Sequence, residues 1–334
     1  MSTTIGGLVD RVFREYLEPA DDLQSYTALD STLSSSGTTL SFNGDLLTQE
    51  EEDVMDAGTI IEVNQELMYC TDLDTVNNNV TVVRGQRGTT AVEHANGSLV
   101  KIAPVFTRKA VFDAVCDQIK NLFPTLFAVD TQSITTGTGY TLIGDYSSPG
   151  THNYIVSILG AISQYTDFSA GSDTTGVNFS PVTCSLVELP NPFTYTDSTG
   201  TERTITYTTG PNVVHALQFA GIASGHTVYV TFKKKFIDPT AESDTLATIG
   251  LEDEYEPIIM AGAAAQMLSG RDIPAATSDF ITDQLAVSTY PVGASSNIRN
   301  GLLSYQATLI DQAKKDLKAR YPEPVALNQI TYPS

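Results

Sequence analysis

The 334-residue chain contains no tryptophan, three cysteines, four histidines and only 18 Lys+Arg. Each shortage removes a class of function. Without tryptophan, the aromatic platform that usually stacks on a sugar ring is missing. That weakens a glycosidase or a glycan-binding module, although 39 carboxylates leave room for a catalytic pair. The same 39 Asp+Glu set against 18 basic residues give a formal charge of −21. Such a surface has no ordinary basic face for neutralising duplex DNA. Cys70, Cys116 and Cys184 are spaced like neither a disulfide framework nor a zinc knuckle. No apolar run approaches the ~20 residues of a membrane-spanning helix. The start, MSTTIGGLVDRVFREYL, lacks the basic and apolar regions of a signal peptide. A protein made in a reducing cytosol is the expectation, so the sequons at Asn79, Asn96 and Asn178 carry no weight.

What is present can fold. Hydrophobic residues make up 41% of the chain, enough for a core, and at this length two or more domains are expected. Ile5, Leu8, Val9, Val12, Phe13, Tyr16 and Leu17 predict an amphipathic helix closed by Pro19. Runs such as TTLSF, GTIIEV, ELMYCTDLD, NVTVVRG and SLVKIAP, broken by turn residues, predict a small antiparallel sheet or barrel. Asp45 to Asp74 holds ten carboxylates and no Lys or Arg. That face is expected to be solvated or to meet a basic partner. Thr107 caps a helix whose stripe runs through Val111, Phe112, Val115, Cys116, Ile119, Leu122 and Phe123 to Pro124. Cys116 on that stripe reads as a buried free thiol.

Between Thr131 and Thr231 lie 20 threonines, one basic residue (Arg203) and short β-branched runs, which predict an antiparallel β-sandwich. EYEPIIMAGAAAQMLSG predicts a helix buried on all sides, with Pro257 near its start. A last helix is expected from about Ile298 to Arg320, with Leu302, Leu309, Ala313 and Leu317 on one face. Lys314, Lys315, Lys318 and Arg320 sit in its final turns, where they suit the helix dipole. Helices separated by two β modules imply an α+β fold: a discontinuous helical bundle core carrying an inserted small antiparallel β module and a larger antiparallel β-sandwich. The expected segments are 1–19, 20–104, 105–130, 131–236, 237–320 and an extended tail, 321–334.

Catalytic patterns are missing. GTGYTLIG from Gly137 has the wrong spacing for a phosphate loop and reads as a hairpin turn. His94, His152, His215 and His226 show no zinc spacing, and there is no G-x-S-x-G elbow. DLDTVNNN begins like a calcium loop but lacks its glycine and terminal Glu, so it reads as a solvated turn. Asp238, Glu242, Asp244, Glu252, Asp253, Glu254 and Glu256 read as a polar approach to a helix. Lys233-Lys234-Lys235 reads as edge-strand charge or an ion-pairing contact. No catalytic residue, cofactor or metal is expected.

One stretch carries a resemblance. ELMYCTDLDTVNNNVTVVRGQRGTTAVEHANGSLVKIAPVFTRKAVFDAVCDQIKNLFP resembles a pattern in virion proteins of tailed bacteriophages. The matching positions are Arg84, Gly85, Arg87, Gly88, Thr89, Ala91, His94, Gly97 and Val100, then Phe106 and Arg108. YEPIIMAGAAAQML and the lysine-rich final helix with its proline-containing tail are similar to parts of phage head–tail adaptors. By itself the R-G-x-x-G-T element reads as a tight turn. Gly85 and Gly88 permit positive φ, and Arg84 and Arg87 brace the loop or reach a neighbour's carboxylate.

The resemblance implies a non-enzymatic protein of the virion neck, assembled in the host cytoplasm. It forms a homo-oligomeric ring, typically of twelve copies, between a portal protein and a downstream neck or tail protein. Genomic DNA passes through without specific binding, and no membrane is involved. The tail residues Tyr321, Pro322, Pro324, Ile330 and Tyr332 are expected to dock on the portal. Arg84, Arg87, His94, Lys314, Lys315, Lys318 and Arg320 are expected in inter-subunit contacts or loop bracing. The acidic Asp45–Asp74 stretch complements Lys314 to Arg320 of an adjacent subunit. The alternative is a phage receptor-binding or decoration protein that uses the sandwich as its binding module.

Overall fold

A computed structural model describes residues 3–17, 25–42, 55–74, 76–136, 140–142, 155–166, 177–190, 193–196, 202–205, 213–220, 222, 225–269 and 294–321. Helices are mixed with antiparallel sheets, in two units. One unit comprises Met1–Asn121 with Asp238–Leu309, and the other Leu122–Ile237 with Ile310–Ser334.

In the first unit, α1 (Ile5–Val12) starts where the Thr4 hydroxyl accepts the Gly7 N–H at 3.1 Å. It buries Ile5, Leu8, Val9 and Val12, and a π-helical turn, Phe13–Leu17, continues the stripe with Phe13, Tyr16 and Leu17. Distant chain meets it directly. Ile5 and Gly6 N–H groups donate to the Asp244 and Glu242 carbonyls at 2.8 and 2.9 Å. That segment leads into a short helix, α3 (Leu246–Ile249), bounded by a Thr245/Thr248 capping box and by Gly250 at φ 86°. Between them in sequence, α2 (Arg108–Leu122) buries Val111, Ala114, Val115, Cys116, Ile119 and Leu122. The Thr107 hydroxyl accepts the Ala110 N–H at its start. The α4 helix (Glu256–Met267) is buried all round from Ile258 to Ala265, as its apolar, small-residue composition predicts. The last helix, α5, spans Ala294–Arg320 and so begins before Ile298. Leu302 and Leu317 are its buried anchors, while Leu309 and Ala313 are only half-buried.

Helices α2, α4 and α5 meet over Gly262 through glutamines. Gln306 donates to Gln118 Oε1 at 2.9 Å and to the Ile258 carbonyl at 3.1 Å, and Gln118 donates to Gln266 at 2.9 Å. A Cβ at Gly262 would lie 2.1 Å from Gln306 Nε2 and 2.2 Å from Gln118 Oε1. Both are tips of flexible side chains, so they can swing aside and lose their bonds. Gly262→Ala gains about 1 kcal/mol of helix propensity but forfeits two or three hydrogen bonds at about 1 kcal/mol each. A net loss of about 1 kcal/mol is expected in denaturant melts. In a Gln306→Ala background the loss should shrink or reverse.

The first unit's sheet has the order β1-β6-β3-β4-β5-β2, all antiparallel. Its strands are β1 (Ser25–Ala28), β2 (Thr39–Ser41), β3 (Ile60–Val63), β4 (Glu66–Asp74), β5 (Asn79–Val83) and β6 (Leu99–Ile102). The edges curl toward each other: Leu29 bridges Phe42, and the Asp30 N–H donates to the Ser41 carbonyl at 2.8 Å. The result is a curled half-barrel around Leu40, Phe42, Met55, Ile61, Val63, Met68, Val80, Val82, Val100 and Ile102. The DLDTVNNN segment is a turn. Asp74 accepts the Val76 and Asn77 N–H groups and the Asn77 side-chain amide.

In the second unit, β7 (Ala128–Thr135), β9 (Ile155–Thr166), β10 (Val177–Pro181) and β15 (Thr227–Lys234) form a sheet of order β10-β9-β15-β7. A second sheet has the order β11-β14-β8, from β8 (Tyr140–Leu142), β11 (Thr183–Pro190) and β14 (Val213–Ala220). A hairpin pairs β12 (Phe193–Thr196) with β13 (Glu202–Ile205). Leu217 of β14 shares a buried cluster with Ile134, Ala161, Val228, Val230 and Phe232. Cross-strand threonines pair through their hydroxyls, Thr131 with Thr231 at 2.9 Å and Thr194 with Thr204 at 3.0 Å, which gives the threonine-rich composition a local role. Two readings change here. GTGYTLIG is not simply a turn, because Tyr140–Leu142 pairs with β14. The lysine run starts on a central strand, not an edge, and Lys234 forms an ion pair with Asp130 at 2.7 Å.

Candidate assembly site

The residues of the R-G-x-x-G-T…H pattern converge on one carboxylate that the sequence reading left without a role. Glu66 opens β4 directly after the Asn64-Gln65 hairpin loop, where Asn64 adopts φ 54°. Its side chain is fully buried. Oε1 accepts Arg84 Nε at 2.6 Å and the Gly85 N–H at 3.1 Å. Oε2 accepts Arg84 Nη2 at 2.6 Å, the Val92 N–H at 3.1 Å and His94 Nε2 at 2.9 Å. Burial alone would raise the carboxyl's pKa, but the fork of Arg84 and the other donors outweigh it and lower the value to about 2.

The partners are held in turn. Arg84 donates to the carbonyls of Ser34, Gly37 and Val92 at 2.9, 2.9 and 2.6 Å. The buried His94 ring places Nδ1 3.2 Å from the Asn64 side-chain nitrogen, so the tautomer with its proton on Nε2 satisfies both ends. Its backbone exchanges two 2.9 Å hydrogen bonds with Leu33. The Thr89 hydroxyl accepts the Leu67 N–H at 3.1 Å and donates to the Gln86 carbonyl at 2.8 Å. Gly85 and Gly88 take φ of 62° and 81°, the conformations the glycines permit, and Arg87 between them also takes φ 50°. Arg84 and His94 are therefore internal braces of the loop. Among the described residues, Arg87 reaches the Tyr69 hydroxyl, at 3.2 Å.

A second node lies at the head of α2. Arg108 forks onto Glu242 at 2.8 and 2.9 Å and reaches Asp10 at 2.5 Å, joining α1, α2 and the approach to α3. Its backbone N–H donates to Glu62 Oε1 at 2.5 Å. Glu62 is 1% exposed, and its Oε2 has no hydrogen-bond partner among the described residues. Burial pushes its pKa up to about 7, against the backbone N–H groups of Arg108 and Lys109 and the charges of Lys101 and Arg108. A cavity of about 290 Å³ adjoins it, lined also by Asn64, Lys101 and Glu242. The acidic face expected over Asp45–Asp74 is thus smaller than its count, because Glu62 and Glu66 point inward. Asp56, Asp72 and Asp74 are exposed, while residues 45 and 50–53 lie outside the described residues.

The other expected site residues group differently. Lys314, Lys315, Lys318 and Arg320 are exposed on the last turns of α5. Tyr321 is half-buried just beyond them, its N–H donating to the Leu317 carbonyl at 2.8 Å. Pro322, Pro324, Ile330 and Tyr332 lie outside the described residues. Of the thiols, burial pushes Cys116 and Cys184 up to about 11, which keeps them protonated and unreactive at neutral pH. Among the described residues no group of three His, Cys, Asp or Glu is placed to hold a metal, and no helix is long and apolar enough to cross a membrane.

Sequence reasoning missed Glu62, Glu66, Asp10 and Glu242. The available signal was Glu66 itself, an acid heading the apolar run ELMY, where an unpaired charge would be costly. No protein-family model matches the chain, and no curated protein matches it.

Proposed function

We propose that this chain is a structural head–tail adaptor of a tailed bacteriophage, a non-enzymatic ring subunit beneath the portal through which DNA passes. In this reading the helices form the discontinuous bundle core. The half-barrel is the inserted small β module, and the threonine-rich sheets pack as a sandwich.

The observation that carries the reading is the use made of the virion-type motif. Arg84, Gly85 and His94 lock one loop onto Glu66, Thr89 ties it to the next residue, Leu67, and Arg108 ties the following helix to two distant segments. A motif committed to rigidity, with its histidine sealed from solvent, supports a mechanical part more than a reactive one. The exposed basic end of α5 and the proline-containing tail supply surfaces for neighbours. A ring of twelve would carry about −250 charges before pairing, a field that repels DNA from any wall it lines.

Deleting residues 322–334 is expected to abolish binding to the portal while far-UV circular dichroism stays unchanged. Full portal affinity in the truncated protein would show that the tail is not the portal-docking element.

A further inference from the structure

In the first unit, Glu62 of β3 is buried with one oxygen unsatisfied. Oε1 accepts the Arg108 N–H, while Oε2 has no hydrogen-bond partner among the described residues. A buried carboxylate oxygen in that state is costly unless something completes it. The nearby bases do not. Lys101 lies directly opposite Glu62 on β6, yet its ammonium stands 4.5 Å over the Phe13 ring and gives Oε2 no hydrogen bond. Arg108 directs its guanidinium to Glu242 and Asp10. The carboxylates of Asp10, Glu62 and Glu242 thus share these two bases.

The cavity of about 290 Å³ that Glu62 lines is also lined by Asn64, Gln65 and Leu99, which are exposed, so it opens to solvent with Glu62 as its buried member. The Asn64 side-chain nitrogen lies 3.2 Å from His94 Nδ1, which leaves the amide oxygen as a further acceptor. One free carboxylate oxygen beside amide oxygens suits an ammonium, a point charge with three donors. A guanidinium fork would need two oxygens in one plane. Leu99 offers apolar surface to an alkyl stem, and the volume is at the small end of ligand pockets. The terminal torsion of a glutamate is soft, so the carboxyl can lean toward an arriving cation. We propose that this cavity binds a primary alkylammonium group, its nitrogen on Glu62 Oε2 and its stem along Leu99. A free diamine and a lysine side chain of another protein both present that chemistry. The site does not depend on the adaptor reading.

The test is titration of the full chain with n-pentylammonium chloride, read by saturation-transfer difference NMR. Saturable binding with a Kd of about 1–10 mM is expected at about pH 8. Glu62→Gln keeps an acceptor for the Arg108 N–H and should abolish binding. Leu99→Ser, at an exposed position, should weaken it about threefold. 1-Pentanol, which has the same stem and no charge, should not bind. The ligand needs the Glu62 anion, whose surroundings are Lys101 on β6, Arg108 and Lys109 at the head of α2, and Glu242 and Asp10 behind Arg108. Affinity should therefore rise about tenfold or more from about pH 5.5 to 8. Cadaverine and Nα-acetyl-lysine N-methylamide separate the two sources: the tighter binder names the source and supports the proposal, and binding by neither overturns it. No saturable binding of pentylammonium up to about 50 mM, equal binding to Glu62→Gln, equal binding of pentanol, or an affinity flat with pH would each overturn it as well.

Discussion

Glu66→Ala is expected to lower stability by about 3–5 kcal/mol, the cost of leaving a buried charge uncompensated. Arg84 would keep its three carbonyl acceptors but lose the carboxylate it forks onto. His94 and the Gly85 and Val92 N–H groups would lose their acceptor as well. Against a total stability of roughly 5–15 kcal/mol, that unfolds a large fraction of the molecules or melts the half-barrel locally. With no tryptophan in the chain, tyrosine fluorescence and far-UV circular dichroism in urea are the readouts. Glu66→Gln should recover little, because its amide presents hydrogens to a guanidinium. Glu66→Leu with Arg84→Met should recover more, since neither charge is then buried. A loss under about 1 kcal/mol for Glu66→Ala would mean the cluster does not brace the loop.

The same carboxylate has a pH signature. Its native pKa is held below the ordinary value, so its contribution is full above the ordinary carboxylate range and fades as pH falls through about 2.

Glu62→Gln is expected to do the opposite, raising stability at pH 8 by about 1–2 kcal/mol and changing little at pH 5. Burial raises the native pKa of Glu62 to about 7, so the folded protein binds a proton that the unfolded chain releases near the ordinary value. Between those two values the native state holds more protons, and stability falls as pH rises, levelling off above about 7. The groups facing Glu62 set the balance. Burial opposes the anion, Arg108 and Lys101 favour it, and Arg108 is itself engaged by Glu242 and Asp10. Glutamine keeps the acceptor for the Arg108 N–H and removes the buried charge. It leaves an amide NH2, with two donor hydrogens, where Oε2 now stands, which trims the gain. Denaturant midpoints of both proteins from pH 5 to 8 give the answer. Parallel curves would mean that Glu62 does not titrate in this window.

Much of the architecture was legible because local chemistry agreed with it. The α4 helix reads as buried on all sides from its apolar alanine-rich middle, and β5 alternates so that Val80 and Val82 face inward. Gly85 and Gly88 announced the tight turn. The bracing was harder to read because its partners are far apart in sequence. Glu66 meets Arg84 and His94, and Arg108 meets Asp10 and Glu242, across gaps that no periodicity spans. Counting carboxylates over Asp45–Asp74 treats them alike, yet Glu62 and Glu66 are buried whereas Asp72 is exposed. What covers each position, not composition, separates them, since Glu62 and Glu66 lie on opposite faces of the sheet and both are covered. For the lysine run the edge reading fails and the ion-pairing one holds at Lys234, since strand order decides what is an edge, and β15 lies between β9 and β7.

The most direct measurement of the central claim is a reconstruction of an intact virion whose genome encodes this chain. The account predicts a closed ring of this protein between portal and tail, with its C-terminal segment against the portal. Density for the chain at the capsid surface or fibre tips, or no density at all, would contradict it.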